Sequence, residues 1–135
     1  MAKRHLFIIA HGSRRQASND EVRRLGDRVA QLQAPGFEHV QVAFLELAEP
    51  SIPEGLARCA ALDASEIIIF PYFLAAGTHV AQDIPEAVAA FQQARPDISV
   101  CLTPHLGASD ALPLAILGVA TQDHHTPSRF EELQP

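Results

Sequence analysis

The sequence predicts an α/β protein built on a four-stranded parallel sheet. Two observations predict it. Short runs rich in Val, Ile and Phe occur at residues 6–10, 40–45, 67–70 and 98–102, and three of them are nearly continuous, as suits strands buried on both faces. Between and after these runs, apolar residues recur at helical spacing. The order β-α-β-α-β-α-β-α calls for parallel strands joined by right-handed crossovers.

Each helix has its own pattern. Val22, Leu25, Val29 and Leu32 form a stripe after the first run, and Ser18 with Glu21 three residues on reads as a capping box at its start. Ile52, Leu56, Cys59 and Leu62 form the second, opened by Ser51 and Glu54 with Pro53 in the first turn. Ile84, Val88 and Phe91 form the third, opened by Asp83 and Glu86 with Pro85 beside them. Leu112, Ile116 and Val119, with Ala115 and Ala120, form the fourth. Residues 121–135 are polar and carry no stripe, so residues 1–120 are expected to form one domain followed by a tail anchored at most by Phe130 and Leu133. A chain of 135 residues that is 47% hydrophobic has material for one core.

Composition excludes several classes of function. The net charge is -6, and the basic clusters are only Arg14-Arg15 and Arg23-Arg24, too little for a phosphate backbone, so no nucleic-acid partner is expected. No apolar run approaches the ~20 residues of a membrane span, and the one before His11 is too short for a signal peptide. The expected setting is cytoplasmic. Cys59 and Cys101 each lie in an apolar run with no CxxC pairing, which excludes a cysteine-held cluster and suggests two buried thiols in a reducing compartment. Nucleotide-binding glycine motifs are absent, as is a GxSxG elbow. Ala10 stands before His11, where a histidine phosphatase would have a basic residue.

Ligands of open parallel sheets bind beyond the carboxyl ends of the strands. After the first run comes His11-Gly12-Ser13-Arg14, and at the end of the second comes Glu46. After the third comes a segment ending Gly77-Thr78-His79, and after the fourth comes His105-Leu106-Gly107. Three imidazoles and a carboxylate therefore converge on one edge. Imidazole with carboxylate suits Co, Fe, Ni or Zn, and a site of few protein ligands leaves positions open for a substrate. His11 and His79 stand out because each follows a strand run beside a glycine, and Gly12 and Gly77 would let the chain turn tightly before a flat ligand. His5, His39, His124 and His125 lack that context and read as ordinary polar residues.

With these residues in view, the chain resembles the small single-domain sirohydrochlorin chelatases, the short members of the class II chelatase family. The matching segments are Ile9-Ala10-His11-Gly12-Ser13-Arg14, then Val42-Ala43-Phe44-Leu45-Glu46 with Pro50-Ser51. Ile69-Phe70-Pro71-Tyr72-Phe73-Leu74, Gly77-Thr78-His79-Val80, Asp83-Ile84-Pro85 and Leu106-Gly107 follow in order. The resemblance covers roughly residues 5–117 and implies a chelatase-like fold, a four-stranded parallel sheet flanked by helices. It implies insertion of Co²⁺, Fe²⁺ or Ni²⁺ as substrate into sirohydrochlorin, in tetrapyrrole biosynthesis of the cobalamin or siroheme type, without a nucleotide. The family histidines map onto His11 and His79, as metal ligands and catalytic groups, and the family glutamate maps onto Glu46. Ser13, Arg14, Gly77 and Thr78, which flank the histidines in those segments, are then expected to contact the macrocycle. Longer members hold two such halves in one chain, so a homodimer is expected, with Phe73, Leu74 and Leu106 as candidate surface. His105 and a tail without a long histidine tract or cysteine cluster are departures. A carrier that holds metal or tetrapyrrole without turnover would use the same ligands.

Overall fold

The computed structural model describes residues 3–33 and 36–122, with His79 as backbone alone. Residues 123–135, with His124, His125, Phe130 and Leu133, lie outside the described residues. The elements in order are β1 (Arg4–Ala10), α1 (Gln16–Gln31), β2 (His39–Phe44), α2 (Ile52–Ala61), β3 (Glu66–Pro71), α3 (Thr78–Ala94), β4 (Ser99–Leu102), a 3-10 turn η1 (Leu106–Ala108) and α4 (Ala111–Ala120). The strands form one parallel sheet in the order β2-β1-β3-β4, as expected.

The core follows from strand alternation. On one face Phe7 and Ile9 of β1, Ala43 of β2 and Ile67 and Ile69 of β3 pack with Ile52, Leu56 and Cys59 of α2 and Ile84 and Val88 of α3. On the other face Ile8, Ala10, Val42 and Phe44 are buried, with Val22 of α1 packed against them. The second face is covered chiefly over β2, where α1 lies.

The structure corrects the reading of the helix starts. The Ser51–Glu54 capping box is present in both hydrogen bonds. The other two are not. α1 starts earlier, after Arg15, which leaves Ser18 inside the helix. α3 starts after Gly77, so Asp83 and Pro85 lie within it. In α1 polar or small residues fill the true first turn and the apolar stripe begins a turn later, whereas in α3 Val80 of the first turn already packs on the core.

Two further expectations fail at the far edge of the sheet. β4 pairs with β3 alone, and Ser99, Cys101 and Leu102 are exposed. Cys59 is buried as expected, but Cys101 is not. The α4 stripe also stays open: none of its residues is buried, and Leu114 is 70% exposed.

Candidate functional site

The end of β1 and the end of β2 stay paired beyond the strands themselves. The Leu45 N–H donates to the Ala10 carbonyl at 3.0 Å, and the Glu46 N–H donates to the His11 carbonyl at 3.1 Å. This extra rung sets the two side chains beside one another. His11 Nε2 stands 3.5 Å from Glu46 Oε1, and the side chains are 60% and 59% exposed. At that distance the pair is an electrostatic contact rather than a tight hydrogen bond, and both polar atoms remain open to a ligand.

Gly12 makes this closeness possible. Its φ is +96°, and a Cβ there would lie 1.7 Å from the Glu46 carbonyl oxygen. No side-chain-bearing residue fits, for steric as well as torsional reasons.

The loop after His11 is held from beneath by a residue the sequence reading passed over. Asn19, in the first turns of α1, is 2% exposed. Its Nδ2 donates to the Ser13 carbonyl at 2.8 Å, and its Oδ1 accepts from the Ser13 N–H at 2.9 Å. Ser13 Oγ in turn accepts from the Arg15 N–H at 3.0 Å. Ser13 thus serves the loop's own hydrogen bonding, while Arg14 is exposed beside it. The signal for Asn19 was an amide near a helix start, where such residues satisfy loop backbone.

On the β3 side, Tyr72 N–H donates to the Ile9 carbonyl at 2.8 Å, carrying the chain out beside β1. Gly77 then caps α3 at φ -81° with open space before its Cα. The expected tight turn at Gly77 is therefore not found, because that φ is one any residue adopts. Thr78 is the exposed first residue of α3 and His79 the second, in the first turn of a helix rather than in the loop expected. The free N–H groups and positive end of α3 lie at this point. Gly107 docks under the same loop: its N–H donates to the Phe73 carbonyl at 2.9 Å, and a Cβ there would lie 1.7 Å from the Leu74 carbonyl oxygen.

His105 is half-buried and lines a recess of about 240 Å³ with Pro71, Ala76, Val80, Ile84 and Pro104, beside the start of α3. Of the three imidazoles and a carboxylate expected at this edge, the described side chains are those of His11, His105 and Glu46. His11 and Glu46 meet, while among the described residues no three His, Cys, Asp or Glu side chains could hold one ion. The His79 imidazole lies outside the described residues. Of the apolar residues expected at a partner surface, Leu74 is 71% exposed, Phe73 packs on the core and Leu106 is half-buried. Another cavity, of about 500 Å³, lies elsewhere, lined by Arg23, Gln41, Glu49 and Arg58 among others.

Residues 5–122 match the CbiX family model. The chain belongs to the CbiX family. This CbiX chain is 35% identical over 81 residues to a sirohydrochlorin cobaltochelatase of Methanopyrus kandleri, a match covering 60% of this chain and 55% of that one. It is 33% identical over 111 residues to a chloroplastic sirohydrochlorin ferrochelatase of Arabidopsis thaliana, covering 79% and 47%. The sirohydrochlorin chelatase SirB of Bacillus subtilis subspecies spizizenii, solved in complex with cobalt, shares the fold at a TM-score of 0.76 and 24% identity, over 90% of this chain and 51% of that one. The chain spans about half the length of these relatives.

Proposed function

We propose that this CbiX chain inserts a divalent metal ion into a sirohydrochlorin-type macrocycle. The observation that carries the reading is the exposed His11–Glu46 pair, 3.5 Å apart, at the carboxyl edge of the sheet. The names of the relatives, a cobaltochelatase and a ferrochelatase acting on sirohydrochlorin, support the same substrate.

The chemistry requires two exchanges. The ion leaves its first ligands for ring nitrogens, and two pyrrole N–H groups lose their protons. In this reading His11 and His79 hold the ion from one face of the ring. Neutral imidazole donates its lone pair to a metal; as the ion enters, the Glu46 carboxylate beside His11 accepts one of the two protons, and the other passes to an imidazole once it has released the ion, or to solvent. The macrocycle carries several carboxylates and the protein is net acidic, so binding needs a local positive field. Arg14 and Arg15 are exposed beside His11, and the N-termini of α1 and α3 lie at the same edge. Ser13, Gly77 and Thr78 complete the proposed contact surface, and the open space before Gly77 admits a flat ring.

Co²⁺, Fe²⁺ and Ni²⁺ are the proposed substrate ions, and no step calls for a nucleotide. No helix among the described residues is long and apolar enough to cross a membrane. Work in the cytoplasm on a small molecule, without membrane or nucleic-acid partner, belongs to the same proposal. The working unit in this reading is a homodimer, because one four-stranded half offers a wide flat ligand only one wall.

The test is the absorbance of sirohydrochlorin during metal insertion, with the macrocycle in large excess over protein and Co²⁺, Fe²⁺ and Ni²⁺ compared in parallel. Many equivalents converted per chain, above the protein-free rate, is the expected result. Conversion that stops at one equivalent would make the protein a carrier. His79→Ala is expected to reduce the rate to background, and a native rate in that variant would remove His79 from the site.

A further inference from the structure

At the amino edge of the sheet, opposite His11, two strand starts bring a pair of imidazoles together. The Glu38 N–H donates to the Arg4 carbonyl at 2.9 Å, and from there β1 and β2 run in register with His5 beside His39. Register neighbours on parallel strands share a face of the sheet. The two rings stand 5.3 Å apart, centre to centre, with their planes tilted by 51°.

Their settings differ. His5 is 2% exposed, and its Nδ1 is buried with no hydrogen-bond partner among the described residues. Buried polar atoms are nearly always satisfied, so a ring nitrogen in this state points to a ligand. His39 is exposed and opens the pair to water. Burial first, then His39, holds the His5 pKa below the usual imidazole value, which keeps the ring in the neutral form that binds metal. Glu38 and Lys3 are the charged side chains that act on His5, and the Glu38 carboxylate favours a cation.

The separation of the rings fits one shared ion. A transition metal lies ~2.0–2.1 Å from an imidazole nitrogen, and therefore ~3.2 Å from the ring centre. Two rings on a tetrahedral ion then have centres ~5.2 Å apart, against ~4.5 Å for two at right angles. The observed 5.3 Å matches the tetrahedral case. Among the described residues no third His, Cys, Asp or Glu side chain completes the set, so water on the His39 side fills the remaining positions. The site is not the one at His11. Six residues of extended β1 place His5 about 20 Å from His11, at the other end of the strand.

We propose that His5 Nδ1 and a ring nitrogen of His39 hold one divalent transition-metal ion, of the zinc type, that clamps β1 to β2 at the amino edge of the sheet. This ion stays with the protein and is not cargo for the macrocycle. The inference does not rest on the insertion reading above.

Magnetic resonance of the histidine ring nitrogens in the full chain tests it, with Zn²⁺ alone as the probe. The His5 and His39 signals are expected to move together and to saturate at the same Zn²⁺ concentration. If His39 alone shifts, or neither does while other histidines respond, the site is overturned. Thermal melting gives a second readout. Zn²⁺ is expected to raise the melting temperature of the parent and of His11→Ala alike and to leave that of His39→Ala in place. His39→Cys is expected to restore the rise, since a thiolate replaces imidazole as a zinc ligand. His39 is exposed, so these variants leave the core intact. A rise that survives in His39→Ala would place the ion elsewhere and overturn the proposal. The insertion rate of His39→Ala is expected to match the parent rate, and a rate at background would overturn the separation from the His11 site.

Discussion

The buried side chain of Asn19 clasps both backbone groups of Ser13, donating to its carbonyl at 2.8 Å and accepting from its N–H at 2.9 Å. One amide thereby fixes the loop that presents His11 and Arg14. Asn19→Ala leaves both groups without that partner, a loss of about 1–3 kcal/mol. The loop shift is expected to lower the insertion rate by roughly ten- to a hundredfold. Asn19→Asp keeps the acceptor for the Ser13 N–H and loses the donor, so an intermediate rate is expected. Rates and urea midpoints for the two variants check this. A native rate in Asn19→Ala would show that the clasp does not position the site.

Gly12→Ala places a methyl group into the Glu46 carbonyl at a positive φ. The torsion alone costs roughly 1–3 kcal/mol, and the collision must separate the two loops. A lower melting temperature together with loss of insertion is expected, and an unchanged melt and rate would contradict the close approach.

His5 supplies a pH dependence. It is 2% exposed in β1, with no hydrogen-bond partner for Nδ1 among the described residues and the His39 ring 5.3 Å away. Burial first, then His39, pushes its pKa below the usual imidazole value, Lys3 adds to this, and Glu38 opposes it. The unfolded chain therefore binds the proton more readily. Stability is full above about pH 6.5 and falls as pH drops below it, by at most about 1.4 kcal/mol per pH unit from this group. His5→Leu is expected to flatten part of the slope between urea midpoints at pH 7.5 and pH 5.5. Identical slopes in variant and parent would count against it.

The two thiols differ in reactivity. Burial pushes the Cys59 thiol up to about 11, whereas Cys101 is exposed on the edge strand. A thiol-reactive dye is expected to label one cysteine in the native protein and both after unfolding. Rapid native labelling at Cys59 would mean the core around Leu56 and Ile67 opens readily.

Much of the fold was legible because strand runs and helical stripes report burial directly. Phe7, Ile69, Leu56 and Ile84 lie in the core as their spacing indicated. The helix starts at Gln16 and Thr78 were not legible, since neither carries a side-chain cap. α4 misled for another reason: its apolar pattern says that something covers it, without saying that its own sheet does. At the site, His11 and Glu46 could be paired from strand ends alone, because parallel neighbours bring successive loops together. Asn19 escaped notice because its hydrogen bonds to the Ser13 backbone, six residues back, leave no periodic trace, and an amide near a helix start is a weak signal by itself.

The most direct measurement is the initial rate of cobalt insertion into sirohydrochlorin by His11→Ala, with circular dichroism and thermal melting run on the same sample. His11 is exposed at a loop, so the variant is expected to fold and melt as the parent does. Its rate is expected to fall to the protein-free background. A folded His11→Ala protein that inserts cobalt at the parent rate would contradict the account.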